Sequence, residues 1–140
     1  MDLGITIHLT DRCIDIRELA VEAELRGFSS VFIPEHTHIP SSQKTSIPAV
    51  SGIAPEDYPR LPDPLVSLSA AAAVTSKIRL GTGVLLVAQH NPINLAKSTS
   101  TLDVISDGRF EMGIGYGWNR EEMSHHGVDF STRRERVRET

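Results

Sequence analysis

One pattern decides what this chain can become: short apolar runs alternate with stretches of helical period, in the same order four times. Leu3–Ile7 suits a strand buried on both faces. Asp15-Ile-Arg-Glu18 then has capping-box spacing, Ile16, Leu19, Ala20 and Ala23 share one helical stripe, and Gly27 stands where a helix takes a left-handed terminator. Val31-Phe32-Ile33 is the second strand. Asp63-Pro64 pairs an N-cap with a first helical residue and opens Leu65–Thr75, whose Ala70–Ala73 run lets a helix lie close to a sheet. Ile78–Val87 is the third strand, interrupted by Gly81 and Gly83. Asn91-Pro92 opens a helix to about Ile105, Asp107-Gly108 turns the chain, and Arg109–Ile114 is the fourth strand. Thr132-x-x-Glu135 is a second capping box, opening a last helix. Strands spaced by helices in this way are parallel βαβ units, so the fold class is α/β.

Composition narrows the function classes. The 140 residues carry a formal charge of −4, which argues against a general nucleic-acid binder. Hydrophobic residues at 39% and charged ones at 23% describe a globular chain rather than a disordered one. The single cysteine, Cys13, excludes a disulfide scaffold and fits a reducing cytoplasm. No apolar run approaches the ~20 residues of a membrane span, and the first residues lack a secretory pattern. A soluble cytoplasmic domain, with neither membrane nor nucleic acid as partner, is the expectation.

The regular order has one exception. Residues 34–62 form a long connection with six prolines, far beyond the usual ~12–15 residues, and such loops are commonly lids or binding loops. It leaves the C-terminal end of the second strand, the end where barrel βα loops build active sites. Its first residues are Glu35-His36-Thr37-His38. In extended backbone His36 and His38 face one side, a geometry open to a divalent metal. The fourth strand, however, offers no Lys, His or Asp to complete a ligand set, so metal binding ranks below general acid–base work, and no metal ligands are assigned.

Two glycine-rich segments lie at the same end. Within Leu80-Gly-Thr-Gly-Val-Leu85, two glycines mark a bulge, close helix–strand packing, or a flat ring stacked on the strand. Gly113-Ile-Gly-Tyr-Gly-Trp-Asn119 is neither a dinucleotide fingerprint, since Trp118 stands where the third glycine is needed, nor a phosphate loop, which needs Gly-Lys-Ser/Thr. What remains is exposed backbone N–H, a flat wall at Trp118 and an amide at Asn119. His8 is placed to line the same mouth. His125-His126 and the arginines from Arg133 to Arg138 read as solvated faces, and Cys13 has no neighbour to activate it.

Glu35-His-Thr-His-Ile-Pro40, Asp63-Pro64 with its Ala-rich helix, Ile78-Arg-Leu-Gly-Thr-Gly-Val84, Ala96-Lys97 through Thr101-Leu-Asp103, Ser106-Asp-Gly-Arg109, and Gly113–Asn119 with Glu121-Glu122 occur in order across nearly the whole chain. This set resembles the N-terminal half of a bacterial-luciferase-like monooxygenase, in particular the branch of oxidoreductases using the deazaflavin coenzyme F-420. The resemblance implies a TIM (β/α)8 barrel, of which residues 1–140 supply about four β/α units, with the cofactor ring at the C-terminal mouth. It implies coenzyme F-420, with FMN as the alternative, and hydride transfer or monooxygenation of a small organic substrate. His36 matches a ring-contacting histidine that handles protons, and Glu35 replaces the usual aspartate beside it. Gly83-Val84 falls where relatives carry a non-proline cis peptide behind the ring. Gly115, Gly117 and Asn119 fall where relatives meet cofactor or substrate, and Trp118 and His38 are assigned to the substrate side. An acidic residue serves beside this glycine stretch in some members; Trp118 stands in its place, so no acid is carried over.

A full barrel of this kind takes about 250 residues, and half of one leaves two unpaired strand edges. A homo-oligomer or a missing C-terminal half is therefore expected. Two other readings stay open: a non-catalytic half-barrel that binds or supports, and a metal-dependent barrel hydrolase using His36 and His38.

Overall fold

The computed structural model describes residues 1–48 and 53–140. Residues 49–52, inside the long connection, lie outside the described residues. Four parallel strands, β1 (Gly4–Thr6), β2 (Ser30–Ile33), β3 (Arg79–Leu85) and β4 (Phe110–Ile114), form one sheet in the order β1-β2-β3-β4. Helices α1 (Ile16–Leu25), α2 (Pro64–Ala72) and α3 (Pro92–Ile105) make the crossovers; α4 (Arg120–His125) and α5 (Arg133–Glu139) follow β4. The register sets Ile5 beside Val31, Val31 beside Leu80 and Leu80 beside Phe110. These residues face the helices and form the core with Ile33, Ile78, Ala20, Ala23, Leu68, Ala71 and Leu102. The alanines do what their size predicts: Ala20, Ala71 and Val31 have no exposure, so helix and sheet backbones lie close.

The helix starts are set by side-chain oxygens. Asp15 accepts from Arg17 N, Asp63 from Val66 N, and Asn91 from both Ile93 and Asn94 N. Asp107 and Gly108 turn with φ of 54° and 74°. The capping box expected at Thr132 does not form: Thr132 makes no side-chain cap, and Asp129 caps instead by accepting from Ser131 N. The third strand stops at Leu85 rather than Val87, where a 3-10 turn over Val87–Gln89 begins. The long connection is not wholly irregular either, since Pro55–Arg60 is a 3-10 helix.

Gly81 and Gly83 have separate causes. A Cβ at Gly81 would stand 2.2 Å from Cε1 of Phe32, so the Phe32 ring on the neighbouring strand takes that space, on the face opposite the helices. This resolves the glycine as strand-to-strand packing, not helix-to-strand packing. Gly83 belongs to a bulge: Thr82 pairs with Met112 and Leu85 with Ile114, so β3 carries one residue more than β4 there. On the outer side of β4, Met112 and Ile114 are about half exposed, and Val104 and Ile105 on α3 are exposed beside them. No helix among the described residues is long and apolar enough to cross a membrane.

Gly81→Ala is expected to destabilise the chain by about 1–3 kcal/mol through overpacking against Phe32. In Phe32→Leu the same substitution is expected to cost less, giving a coupling above ~0.5 kcal/mol in a urea-denaturation double-mutant cycle. Additive losses would show that the ring does not set this glycine.

Candidate active site

Because all four strands run parallel, the ends of β2, β3 and β4 deliver their following residues to one mouth. Two carboxylates organise it. Glu35, just past β2, is buried; its N–H donates to Val84 O at 3.2 Å, and its Oε2 accepts from Leu86 N at 2.6 Å. Its Oε1 pairs with His90 Nε2 at 2.8 Å, a hydrogen bond that raises the His90 pKa above its ordinary value. Glu35 thus clamps the end of β3 immediately around the Gly83–Val84 peptide, which is cis. Both of its carboxylate oxygens are engaged, which makes it a staple of the bulge, and Glu35, expected from sequence on the cofactor side, also lines the cleft at this mouth.

The second carboxylate, Glu122, was not singled out as a site residue. It lies in the first turn of α4, has no exposure, and accepts from His36 Nδ1 at 2.7 Å, Thr37 N at 2.8 Å and Thr37 Oγ1 at 3.2 Å. Burial alone would raise its pKa, but the hydrogen bonds from His36 and Thr37 outweigh that and hold the carboxyl below its ordinary value. The spacing Asn119-x-x-Glu122 was the signal that could have found it. Asn119 caps α4 by accepting from Glu122 N at 3.1 Å, and its amide donates to Gln43 at 2.7 Å. Fully buried and bonded at both amide atoms, Asn119 ties a loop to a helix; expected from sequence on the cofactor side, it is not among the residues lining the cleft.

Between these anchors lies a cleft of about 400 Å³, lined by His8, Pro34, Glu35, His36, Pro48, Tyr58, Gly83, Val84, Leu86 and Gly115 to Trp118. His36 has 8% exposure and accepts at Nε2 from the Trp118 indole at 3.1 Å. Burial pushes His8 below its ordinary pKa. Tyr58, from the 3-10 helix of the long connection, meets His8, His36 and Trp118 edge-on at ring distances of 5.6, 5.5 and 5.9 Å. The connection therefore supplies a wall of the cleft. It is pinned by Arg60 on Asp11 (Nε to Oδ1, 2.7 Å) and by Lys44 and Thr45 N–H on Glu121, whose carboxyl is held down to about 2 chiefly by Thr45. Gly115 is obligatory in this arrangement, since a Cβ there would meet Val84 Cγ2 at 2.3 Å.

His38 is not in the cleft. It stacks on His125 at 5.1 Å with Nε2 to Nδ1 at 2.9 Å, and His126 bonds Thr37 at 2.7 Å. His38, expected on the substrate side, is engaged by His125 and is not among the residues lining the cleft, and His125 and His126, though exposed, hold the loop after β2 rather than standing free in solvent. His36 and His38 have separate partners, and among the described residues no group of three or more His, Cys, Asp or Glu is placed to hold a metal ion.

A family model described as "Luciferase-like monooxygenase" matches residues 4–140. An uncharacterized protein of Mycobacterium tuberculosis is 46% identical over 141 residues, covering 99% of this chain and 50% of that protein. An F-420-dependent glucose-6-phosphate dehydrogenase of Kineococcus radiotolerans is 36% identical over 122 residues, 86% of this chain and 32% of that enzyme. Among solved structures, the oxygenating constituent of 3,6-diketocamphane monooxygenase from Pseudomonas putida, in complex with FMN, superposes with a TM-score of 0.75 at 26% identity, over 99% of this chain and 36% of that one. The chain spans about half the length of the first of these relatives, and its four strands are half of a TIM barrel.

The Glu35–His90 pair has a definite pH signature. A histidine whose folded pKa is raised contributes stability that is fully present below its unfolded value of about 6.5 and is lost as pH rises through the folded value. Urea midpoints of wild type and His90→Gln are expected to differ most near pH 6 and to converge at alkaline pH. A gap that widens with pH would contradict the pairing.

Proposed function

Since the chain belongs to the luciferase-like monooxygenase family, we propose that it is the N-terminal half of an oxidoreductase that holds a flavin-type ring in the cleft between β2, β3 and β4. The observation that carries this is the cleft itself. Its volume falls in the usual small-ligand range, and its walls are the flat apolar surfaces of Val84, Tyr58 and Trp118. His8 and His36 bring two imidazoles to that space, and Gly83, Gly115 and Gly117 line it without side chains of their own. These surfaces fit a planar heteroaromatic ring. The lining contains no lysine or arginine, so a phosphate tail would be anchored elsewhere.

The ring would supply hydride transfer to or from a small organic substrate, or oxygen activation if it is a flavin. The chain's own part is to seat the ring, exclude water with Tyr58 and Trp118, and present His36 as the neighbouring proton acceptor. We take deazaflavin coenzyme F-420 as the first candidate and FMN as the second. The Kineococcus dehydrogenase supports the former and the Pseudomonas monooxygenase the latter. A cytoplasmic setting belongs to the same proposal and is supported by the exposed free thiol of Cys13.

Closure is part of this reading. Among the described residues the β1 and β4 edges are unpaired, and Met112 and Ile114 on β4 and Val104 and Ile105 on α3 stand exposed, so the isolated chain is expected to self-associate. Sedimentation should show a dimer or larger species; a monomeric, cooperatively unfolding chain would overturn that expectation.

Titration with oxidised deazaflavin, and separately with FMN, is expected to give saturable fluorescence quenching of one of them. His36→Ala should weaken that binding about tenfold, or ~1.4 kcal/mol. A well-folded chain that binds neither ring leaves the non-catalytic half-barrel as the better description.

A further inference from the structure

We propose that Glu122 is the positioning residue of this cleft, fixing His36 as the neutral tautomer with its proton on Nδ1 and its lone pair on Nε2. The deduction uses donors and acceptors alone. Glu122 sits with no exposure among hydrogen-bond donors that favour its ionised form, so it can only accept. Thr37 already donates to Oε1 through its N–H and its hydroxyl. The 2.7 Å contact between Oε2 and His36 Nδ1 therefore requires the proton on Nδ1. At the other ring nitrogen the partner is the Trp118 indole N–H, which donates and cannot accept, at 3.1 Å. Nε2 must then be unprotonated. The alternative tautomer would set an unprotonated nitrogen against a carboxylate and an N–H against an N–H, and the imidazolium would set two donors face to face at Nε2.

A carboxylate costs more to bury than a neutral amide, but an amide whose oxygen met the Thr37 N–H would turn its NH2 toward Nδ1 and could not accept from it. What the charge adds is stabilisation of a positive imidazole. When Nε2 takes a proton, the charge formed lies within hydrogen-bond reach of a fixed anion, the arrangement by which a buried carboxylate orients and supports a catalytic histidine. Trp118 contributes differently: its indole occupies the lone pair in this state but can be replaced at Nε2 by any donor that enters the cleft. Glu122, not Trp118, sets the tautomer. The tautomer assignment stands on these contacts; its catalytic meaning rests on the function proposed above.

The test is two-bond proton–nitrogen correlation spectroscopy of the histidine side chains in the full chain at neutral pH, with His36 identified by loss of its signals in His36→Gln. Wild type is expected to show Nδ1 at a protonated and Nε2 at an unprotonated shift. Trp118→Phe, which removes the indole donor, is expected to keep that pattern. Glu122→Gln, whose amide can donate to Nδ1, is expected to move the proton to Nε2 in part or whole. A wild-type His36 protonated on Nε2 would overturn the proposal, and so would Trp118→Phe switching the tautomer. An unchanged pattern in a folded Glu122→Gln would do the same; should that variant not fold, wild type and Trp118→Phe still decide. A chain that shows the expected tautomers but binds no ring keeps this role for Glu122 and loses the proposed function. A chain that binds a ring with His36 in the other tautomer does the reverse.

Discussion

A carboxylate sealed from water on the first turn of α4 is bonded to the loop that leaves β2, and the mouth of this half-barrel is built around that bond. Removing His36 would strand a buried carboxylate, a loss on the order of 3–5 kcal/mol, so the contact between Glu122 and His36, 86 positions apart in the chain, is binding on the local geometry. It brings the loop after β2 across to the helix after β4. β3 lies between them in the sheet, so its end is enclosed from both sides. The cis peptide at Gly83–Val84, the bulge and the Gly115 approach all lie within that enclosure.

Glu35 does complementary work one strand over. It ties the end of β2 to the backbone just past the β3 bulge and to His90, as Glu122 ties the residues after β2 to α4. Two adjacent residues of one loop, Glu35 and His36, are thus held in opposite directions by ionic partners. This leaves the imidazole of His36 with a single nitrogen turned to the cleft. The long connection adds a third constraint. Its Arg60 reaches Asp11 beyond β1, its Gln43 reaches Asn119, and Tyr58 closes against three rings. A connection that looks like a lid from its length is thus anchored at several points and forms a standing wall.

Much of the fold was legible in the sequence because its determinants are local. Asp15, Asp63 and Asn91 cap from within three residues, the apolar run Val31-Phe32-Ile33 marks a buried strand, and Asp107-Gly108 turns on its own dihedral preferences. The strand ends also named the mouth, and the glycines at 83, 115 and 117 with His36 and Trp118 do meet there. What sequence could not supply was which polar groups are spent. Asn119 and His38 have the chemistry of ligands, but Glu122, Gln43 and His125 consume it, and those partners lie 3 to 87 positions away. Glu122 itself stands in the sequence beside a second glutamate, Glu121, with nothing local to tell them apart. Only the tertiary fold turns one of the two inward and leaves Glu121 to receive the backbone of the long connection.

The aromatic inventory of the chain has one more consequence. It contains a single tryptophan and two tyrosines, and Trp118, Tyr58 and Tyr116 all line the same cleft. Every strong near-ultraviolet chromophore of the chain is therefore a resident of one small volume, with none placed in the helix–sheet core. The optical spectrum normally taken as a report on overall folding is, in this molecule, a local signal from the mouth, and the core between helices and sheet is nearly silent at those wavelengths.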